Sequence, residues 1–576
     1  MTPARQWRLI LAWLALAGAP FLCVAPWLLS LTPPHIQSDR FLRDDDIWAL
    51  LGLTVAFALS PLAWRVAPRI KARLLISPRT WVIGAAGFVA LIAWAGAGLV
   101  FSDYGLSRDE DMTGFGAAIL SHGQAWASLA PQWRAYASAL EPEFVRLSAG
   151  ATLWQPAYLP VNAALRAFAE AAGAATLVNP LLAAASVLAT FAVGRRLWPE
   201  RPHLALAAAI LLATSSQMLT AAMTPYAMTG HLAFNLVWLW LHIRGGKAGH
   251  AAALMVGFLA TGLHQLAFHP LFAAPFVLQL WLDRRWWVAG LYTVAYAAIC
   301  LFWLDYAPLT LAMAGGAPAA DVSGVTGLGG QVVALIQAKH PPALRLMAEN
   351  LIRFITWQSV LAAPLAILGA AAAMKAGGTL RALVLGIVLT TAAMIVLMPY
   401  QGHGWGYRYL NGLLGSVALV AALGWSRLTD GLVASARDAA RGLFAGAAVI
   451  SLLVLFPAQA VLASAFVRPY AAAHRAINTA RAEVVLVDTR GAWYIDDLVR
   501  NDPYLAGRPL VMRSESLTSD QIVDLCAHHS LATFDAFDAA RFGIRVLADG
   551  RGVSLPAVCG PNRTPVRQIT PDGRGQ

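Results

Sequence analysis

The feature that most limits what this chain can fold into is a repeated series of long apolar runs. The 576 residues are 58% hydrophobic and only 12% charged, and their mean hydropathy is +0.59. A run of about 18 or more apolar residues is long enough to cross a bilayer as a helix. Lipid offers the backbone no hydrogen-bond partners, so helices are the natural way to span it. The sequence therefore predicts an all-α, multi-pass membrane domain.

We expect about thirteen such spans. Their approximate limits are 8–31, 47–64, 80–101, 176–194, 203–222, 228–243, 250–265, 269–282, 286–304, 351–374, 380–399, 410–425 and 443–464. The first run begins with basic residues, as a signal peptide does, but it is too long and lacks a small-residue exit site. We therefore interpret it as the first membrane helix.

Basic residues follow every second span, which is the pattern of cytoplasmic loops. The groups are Arg5 and Arg8; Arg65, Arg69, Lys71, Arg73 and Arg79; Arg195, Arg196 and Arg201; Arg244 and Lys247; Arg284 and Arg285; Lys375 and Arg381; and Arg427, Arg437 and Arg441. This topology accounts for the net charge of +12, so we give nucleic-acid binding little weight. We expect a multi-pass protein of a bacterial inner membrane.

The opposite, periplasmic side would then receive the unusual segments. These are the loops 102–175, 264–269, 305–350 and 400–409 and the C-terminal tail. In the first loop, Met112–Leu120 and Ala151–Ala172 have apolar residues at helical spacing, which predicts amphipathic helices along the membrane surface. The segment 314–330 is rich in Gly and Ala, which predicts a flexible flap.

The character of the chain changes near residue 466. Strand or helix patterns occur at Glu483–Asp488, Asp496–Asp502, Ser519–His529, Leu531–Phe537 and Arg545–Ala548. We predict a small α/β extramembrane domain at 466–576, after a transmembrane domain at 1–465. Cys526 and Cys559 lie in this region and would be able to pair in an oxidising compartment.

Acidic residues are concentrated in Arg108-Asp-Glu-Asp111, just after an apolar run. A carboxylate in such a place can take a proton from an acceptor, or hold a divalent cation that shields a phosphate. Asp109 and Glu110 are therefore candidate catalytic residues. The alternative is a solvated loop that tolerates acid. A divalent cation is a candidate cofactor, and no metal ligand set is identified.

A second candidate site is Gly402-His-Gly-Trp-Gly-Tyr-Arg-Tyr409. Three alternating glycines allow the backbone to approach a ligand, and Arg408 can clamp a phosphate. His403, Tyr407 and Arg408 are candidate substrate-binding residues. The alternative is an aromatic belt with an arginine that extends to the interface.

A third candidate is the turn that contains His264, Gln265 and His269. These residues can bind sugar hydroxyls or phosphate, but no third residue has convincing zinc-ligand spacing. The alternative is a set of polar residues that cap a re-entrant turn.

The Asp109-Glu110 pair, which follows an outward-going span and precedes a helix, resembles the first outer loop of GT-C membrane glycosyltransferases. Protein O-mannosyltransferases and aminoarabinose–lipid A transferases are the most similar types. The segment from Pro156-Ala-Tyr-Leu-Pro160 to Trp198 and the turn Thr224-Pro-Tyr226 match the later order of elements in that family. The resemblance covers roughly residues 80–425.

The resemblance implies transfer of a sugar from a polyprenyl-phosphate donor, with inversion at the anomeric carbon. It makes Asp109 the base and Glu110 a helper or metal contact. Placement and chemistry make Arg408 and His403 the candidates for the lipid phosphate, and we expect Asp109 and Arg408 to converge in one pocket. Two extra spans before the acidic loop depart from the family pattern.

The expected partners are a polyprenyl-phosphate sugar, a glycan, lipid or protein acceptor, and membrane lipid. One rival function is a transporter or flippase of lipid-linked sugars, which would carry inverted repeats and polar residues near the membrane midplane. Another is a non-catalytic envelope assembly protein, which leaves the Asp109-Glu110 pair unexplained.

Overall fold

The computed structural model describes residues 46, 48–49, 52–53, 55, 77–140, 143–319, 343–402, 404–547 and 567–568. These residues are mostly helical and belong to two compact units. Unit 1 comprises the described parts of 1–96, 176–302 and 330–462. Unit 2 comprises those of 97–175, 303–329 and 463–576.

The described α-helices are numbered along the chain. They are α1 (Pro78–Leu99), α2 (Arg108–Ser121), α3 (Ala137–Leu140), α4 (Val161–Glu170), α5 (Val178–Leu197), α6 (Pro202–Ala213), α7 (Ser216–Ala222), α8 (Ala227–Arg244), α9 (Gly246–Thr261), α10 (Phe268–Leu282), α11 (Trp286–Leu304), α12 (Tyr306–Met313), α13 (Ala343–Thr356), α14 (Ala362–Ala376), α15 (Gly378–Leu397), α16 (Leu414–Thr429), α17 (Ala434–Ile450), α18 (Phe456–Asn478), α19 (Ser519–His528) and α20 (Ala536–Arg541).

Six helical stretches of the described residues are long and apolar enough to cross a membrane, or seven if one bent pair is a single span. The six are Pro78–Leu99, Ala175–Leu197, Trp286–Leu304, Gly378–Leu397, Arg408–Thr429 and Ala434–Asn478. The predicted count of about thirteen is not confirmed. The first predicted span lies outside the described residues, and so does most of the second.

Three predicted spans differ from the helices observed. The predicted span 203–222 is broken into α6 and α7, which are bent by 59°. The side chain of Ser215 accepts a hydrogen bond from the backbone of Met218, so it starts a new helix inside the apolar run. The predicted span 351–374 contains the end of α13 and the start of α14, with polar Gln358 and Ser359 between them. The predicted span 443–464 is part of the longer stretch Ala434–Asn478.

Helices α14 and α16 of unit 1 touch backbone to backbone. A Cβ on Gly369 would lie 1.9 Å from the carbonyl oxygen of Val420, and a Cβ on Gly424 would lie 2.0 Å from that of Leu365. Small residues at helix contacts permit this approach in membranes, where close packing replaces the hydrophobic drive. The pair fixes α16, which follows the segment that carries Arg408.

Unit 2 contains two small sheets. Strands β1 (Ala127–Ser128), β2 (Val145–Leu147) and β3 (Leu153–Pro156) form an antiparallel sheet in the order β1-β3-β2. Strands β4 (Val484–Val487), β5 (Leu510–Arg513), β6 (Leu531–Phe534) and β7 (Arg567–Gln568) form a parallel sheet in the order β5-β4-β6-β7. In register, Val484 pairs with Leu510 on one side and with Leu531 on the other.

The first of the two predicted surface helices of loop 102–175 is instead packed into protein. Met112, Phe115 and Ile119 of α2 are buried in one apolar cluster with residues of β4 and β5. The predicted helix 151–172 contains a strand, β3, before α4 begins at Val161. The apolar periodicity in α2 was therefore correctly identified, but its partner is a protein core and not lipid.

The elements beyond residue 466 match the sequence patterns unevenly. A strand at Val484–Val487 and a helix at Ser519–His528 occur where the sequence predicts them. The predicted helix 496–502 is only a short 3₁₀ turn, Ile495–Leu498, and strand β5 was not predicted. The described part of the predicted strand 545–548 makes an isolated bridge between Ala492 and Val546.

Candidate active site

Helix α2 begins with a capping box that uses Glu110. The side chain of Ser107 accepts from the backbone of Glu110, and the Glu110 carboxylate accepts from the backbone nitrogen of Ser107 at 2.7 Å. Glu110 also accepts from the Ser107 hydroxyl at 2.9 Å. This reciprocal arrangement satisfies the exposed donors at a helix start. Part of the acidity of this stretch therefore serves the helix, whose N-terminus favours negative charge.

Asp109 is buried and held by a phenol. The residue is only 6% exposed, and its Oδ1 accepts a hydrogen bond from the Tyr158 hydroxyl. The Asp109 carbonyl accepts from the hydroxyl of Thr113 at 3.1 Å, and Asn162 in turn donates to Thr113 at 3.1 Å. Tyr158 of the β3–α4 loop thus holds the carboxylate, while Asn162 of α4 supports the backbone of Asp109 through Thr113. A carboxylate placed in this way can accept a proton from a bound nucleophile.

Charged residues around α2 form a buried cluster. The Nε of Arg108 lies 3.4 Å from Asp497, and its Nη1 donates to the carbonyl of Val499. Burial lowers the pKa of Arg108, while neighbouring Asp497 and Asp111 oppose that change. Burial raises the pKa of Asp111, against the effect of Arg500 and Arg108. The cluster ties the start of α2 to the segment 497–500.

Arg408 lies half-buried in unit 1 between two tyrosines. Its guanidinium carbon is 5.6 Å from the centre of the Tyr226 ring and 5.2 Å from that of Tyr409. The two Nη atoms are 3.4 and 3.5 Å from the hydroxyls of the same residues. Its backbone nitrogen donates to Gln401 at 3.0 Å. Aromatic faces stabilise a cation, and the donors of a guanidinium suit the oxygens of a phosphate, so Arg408 stays the candidate contact for phosphate.

The segment around Arg408 is braced by neutral amides. Gln217 donates to the carbonyl of Tyr407 at 2.9 Å, and Gln358 donates to Gln217 at 3.0 Å. Gly406 has φ of +66°, and a Cβ there would lie 2.3 Å from the Gln217 amide oxygen. The glycine is needed for this close approach, but its neighbour is Gln217 of the same unit.

A buried ion pair supports the same segment. The Nε of Arg353 is 2.7 Å from Asp46, whose other oxygen accepts from Trp357 at 3.1 Å. Arg353 also donates from Nη2 to the carbonyl of Gly404 at 2.7 Å. All three side chains are buried. Arg353 is therefore a positioning residue for the loop that precedes Arg408, and it was not predicted from the sequence.

His269 is part of the packing between helices. Its Nδ1 lies 2.7 Å from the Asn235 amide oxygen and its Nε2 lies 2.7 Å from the Tyr296 hydroxyl. Its neighbour Phe268 contacts both His231 and Tyr409, with ring centres 5.1 and 5.8 Å apart respectively. The His264–His269 turn and the Arg408 segment thus meet through Phe268 and Tyr409.

No family model matches the chain, and no curated protein matches it in sequence. Two solved structures of similar fold are crystal structures of ArnT from Cupriavidus metallidurans. The apo structure aligns with a TM-score of 0.50 at 12% identity, over 78% of this chain and 92% of ArnT. This chain has an ArnT-like fold. The structure of ArnT bound to undecaprenyl phosphate aligns with a TM-score of 0.48 at 12% identity, over 84% of this chain and 100% of that one.

ArnT is an aminoarabinose–lipid A transferase and a GT-C glycosyltransferase. The family resemblance predicted from the sequence is therefore confirmed for the fold. With its long apolar helices, the ArnT-like chain is an integral membrane protein.

The predicted site residues fall in both units of the ArnT-like fold. Asp109 and Glu110 belong to unit 2, whereas Tyr407 and Arg408 belong to unit 1 with the His264–His269 turn. In that turn His264 is buried and Gln265 is half-buried. His403 lies outside the described residues. Convergence of Asp109 with Arg408 stays a prediction.

Sequence reasoning missed the residues that hold the candidate groups. Tyr158, which binds Asp109, and Gln217, which supports Tyr407, are single polar residues without a motif. The Ser107-x-x-Glu110 spacing is the sequence signal from which the capping role of Glu110 could have been predicted, and it was missed. Among the described residues, no group of three His, Cys, Asp or Glu side chains is arranged to hold a metal ion.

Proposed function

We propose that this protein is a glycosyltransferase that moves a sugar from a polyprenyl-phosphate donor to an acceptor on the periplasmic side of a bacterial inner membrane. The observation that carries the proposal is the buried Asp109 carboxylate, held by Tyr158 at the start of α2 in an ArnT-like fold. The location is supported by the disulfide of Cys526, a bond typical of oxidising compartments. Cys559, its expected partner, lies outside the described residues.

In the proposed reaction, Asp109 accepts a proton from the acceptor hydroxyl or amine. The acceptor oxygen or nitrogen forms a bond to the anomeric carbon as the bond from that carbon to the phosphate oxygen breaks. The electron pair leaves with the phosphate, the anomeric centre is inverted, and polyprenyl phosphate is released. Arg408, with His403, is the proposed contact for the developing phosphate charge.

The role of Tyr158 is to orient Asp109. The hydrogen bond from the phenol fixes one carboxylate oxygen, so the acceptor must be brought close to the other and aligned with it before transfer. Tyr158 is thus a positioning residue, and Asp109 is the proposed catalytic residue.

The test uses the purified full-length chain in detergent with a labelled polyprenyl-phosphate sugar and a candidate acceptor. We expect release of polyprenyl phosphate, and a loss of about 10²–10⁴-fold in Asp109→Asn, the usual contribution of a general base. Tyr158→Phe should lose less, about tenfold. Asp520→Asn, an exposed change in α19 of the same unit, is the matched control.

A folded Asp109→Asn variant with unchanged turnover would contradict the proposal. If that variant instead moves the lipid-linked sugar across liposome membranes as fast as the parent, the flippase alternative is favoured. Labelling of single cysteines at positions 109 and 408 from one side of the membrane tests whether both residues face the periplasm.

A further inference from the structure

Unit 2 contains a cavity of about 500 Å³ beside α2. Its walls come from α2, the end of α18 and the segment 500–510. Phe115, Pro503 and Pro509 give it apolar surface, while Asp111 and His474 give it polar groups. Sites for small ligands are concave, of about 300–1,000 Å³, and mostly apolar with a few polar groups that orient the ligand. The cavity has that size, and it is more polar than most, because half of its lining residues are polar or charged.

The cavity lies on a different face of α2 from the Asp109 carboxylate. An α-helix turns by about 100° per residue, so positions 109 and 111 point about 200° apart. Asp109 contacts Tyr158, whereas Asp111 lines the cavity with Phe115 and Ala118, at the i, i+4 and i+7 positions of one face. The cavity is therefore not the surroundings of the proposed catalytic carboxylate.

The two arginines that line the cavity are already engaged. Arg500 donates to the carbonyls of Asp497 and Leu106 at 2.7 and 3.0 Å. Arg508 donates to two carbonyls of its own loop at 2.9 and 2.7 Å. An incoming phosphate would also meet the Asp111 carboxylate, which lies 3.9 Å from Arg500. The lining therefore favours a neutral ligand over an anion.

Two buried polar atoms of the lining have no hydrogen-bond partner within the described residues. They are Oδ2 of Asp111 and Nδ1 of His474. The other ring nitrogen, Nε2 of His474, lies 2.9 Å from the Asn478 amide nitrogen. When that amide donates, Nε2 accepts, so a neutral ring carries its proton on Nδ1. Both residues line the cavity, so a ligand hydroxyl that reaches either atom can supply the missing hydrogen-bond partner.

We propose that this cavity is a binding subsite for a neutral sugar ring. Sugar hydroxyls would pair with Asp111 and His474, while the apolar face of the ring would pack on Phe115 and the two prolines. The assignment of the sugar to the reaction rests on the proposed function, because a glycosyltransferase handles a sugar on both its donor and its acceptor. The binding itself is independent of catalysis.

The test is saturation-transfer NMR on the full-length chain in detergent, with the methyl glycosides of glucose, galactose, mannose, xylose and arabinose, and with inorganic phosphate as competitor. We expect at least one glycoside to bind, with affinity lowered about tenfold or more in Asp111→Asn, because one carboxyl oxygen is replaced by an amide nitrogen. Gly114→Leu should also block binding: Gly114 lines the cavity and a Cβ there meets open space, so this variant fills the site without a clash.

Ala164→Leu, an exposed change in α4 of the same unit, is the matched control and should bind like the parent. The proposal is overturned if none of the five glycosides binds, if Gly114→Leu binds as well as the parent, or if phosphate displaces the sugar. Loss of binding in Asp109→Asn with retention in Gly114→Leu would place the sugar at Asp109 and also overturn it. In an active preparation, a raised KM for the acceptor or for the donor in Gly114→Leu identifies which of them supplies the sugar.

Discussion

The two units stabilise their candidate sites by different means. In unit 1, Arg408 is surrounded by tyrosines, and its segment is braced by the amides of Gln217 and Gln401. In unit 2, Asp109 stands beside a buried cluster that includes Arg108 and Asp497. Neutral amides keep one protonation state over the whole working pH range, whereas buried carboxylates do not. The amide contacts that brace the Arg408 segment should therefore be insensitive to pH, and the charged cluster of unit 2 should respond to it.

Unit 1 also contains the buried ion pair of Arg353 and Asp46. Breaking this pair should give the largest effect, because it leaves a buried charge without its partner. Arg353→Met leaves an unpaired buried carboxylate and should lower the free energy of unfolding by about 3–5 kcal/mol. The measurement is denaturant unfolding in detergent. Arg201→Met is the matched control, because it breaks an exposed pair with Asp430 and should cost about 0–1 kcal/mol.

The double variant Asp46→Leu/Arg353→Met sharpens this prediction. Replacing both charges removes the unpaired group, so part of the lost stability should return. If Arg353→Met is as stable as the Arg201→Met control, the ion pair does not support the segment before Arg408.

The pH response of unit 2 is the next largest effect. Burial, with the charge of Asp497, raises the pKa of Asp496 to about 6 from its ordinary value of 3.8. The folded state therefore favours the protonated form, and the stability from this group is present below pH 4 and lost as the pH rises through 6. The difference corresponds to about 2–3 kcal/mol.

Asp496→Asn mimics the protonated side chain. We expect this variant to be more stable than the parent at pH 7. The parent should gain stability between pH 7 and pH 4 as Asp496 becomes protonated, and the variant should not show that part of the gain. Unfolding curves at a series of pH values measure both. The prediction is wrong if Asp496→Asn is less stable than the parent at pH 7. It is also wrong if the free energy of unfolding depends on pH in Asp496→Asn as it does in Asp520→Asn, because the buried carboxylate would then not cause the pH response of unit 2.

The smallest expected effect separates two roles of Glu110. Ser107→Ala removes the helix cap and should cost about 1 kcal/mol. Glu110→Gln keeps the capping box, since glutamine serves in that position as well as glutamate, so the helix cap should be nearly unchanged, although the negative charge that acts on Arg166 is lost. If sugar transfer is also unchanged in Glu110→Gln, the residue serves the helix; a large loss of turnover with normal stability makes it a catalytic helper.

How far the sequence predicts this molecule depends on the range of the interactions involved. Apolar runs identify helices such as α1 and α15 closely, because the signal is local and continuous. The break at Ser215 was missed, since its cap lies inside an apolar run. The α2 helix was predicted, but not its burial against β4 and β5, since that depends on residues more than 360 positions away in sequence.

The candidate sites show the same division. Asp109 and Arg408 were selected from local clusters of charge and glycine. The supporting residue Tyr158 is 49 positions from Asp109 in the sequence. Arg353 is 51 positions from Gly404, which lies in the loop before Arg408 and whose carbonyl it binds. Sequence alone gives no reason to select one tyrosine or one arginine over others at such distances. The structure is needed to find them.

Helix α2 carries a proposed proton acceptor at position 109 and a proposed ligand contact at position 111, on opposed faces of one rigid rod. A rotation that improved the alignment of one carboxylate would turn the other away from its cavity. The distance between the place where a sugar would bind and the place where a proton would leave is therefore set by about half a turn of helix. Changing that distance would require a change in the helix itself.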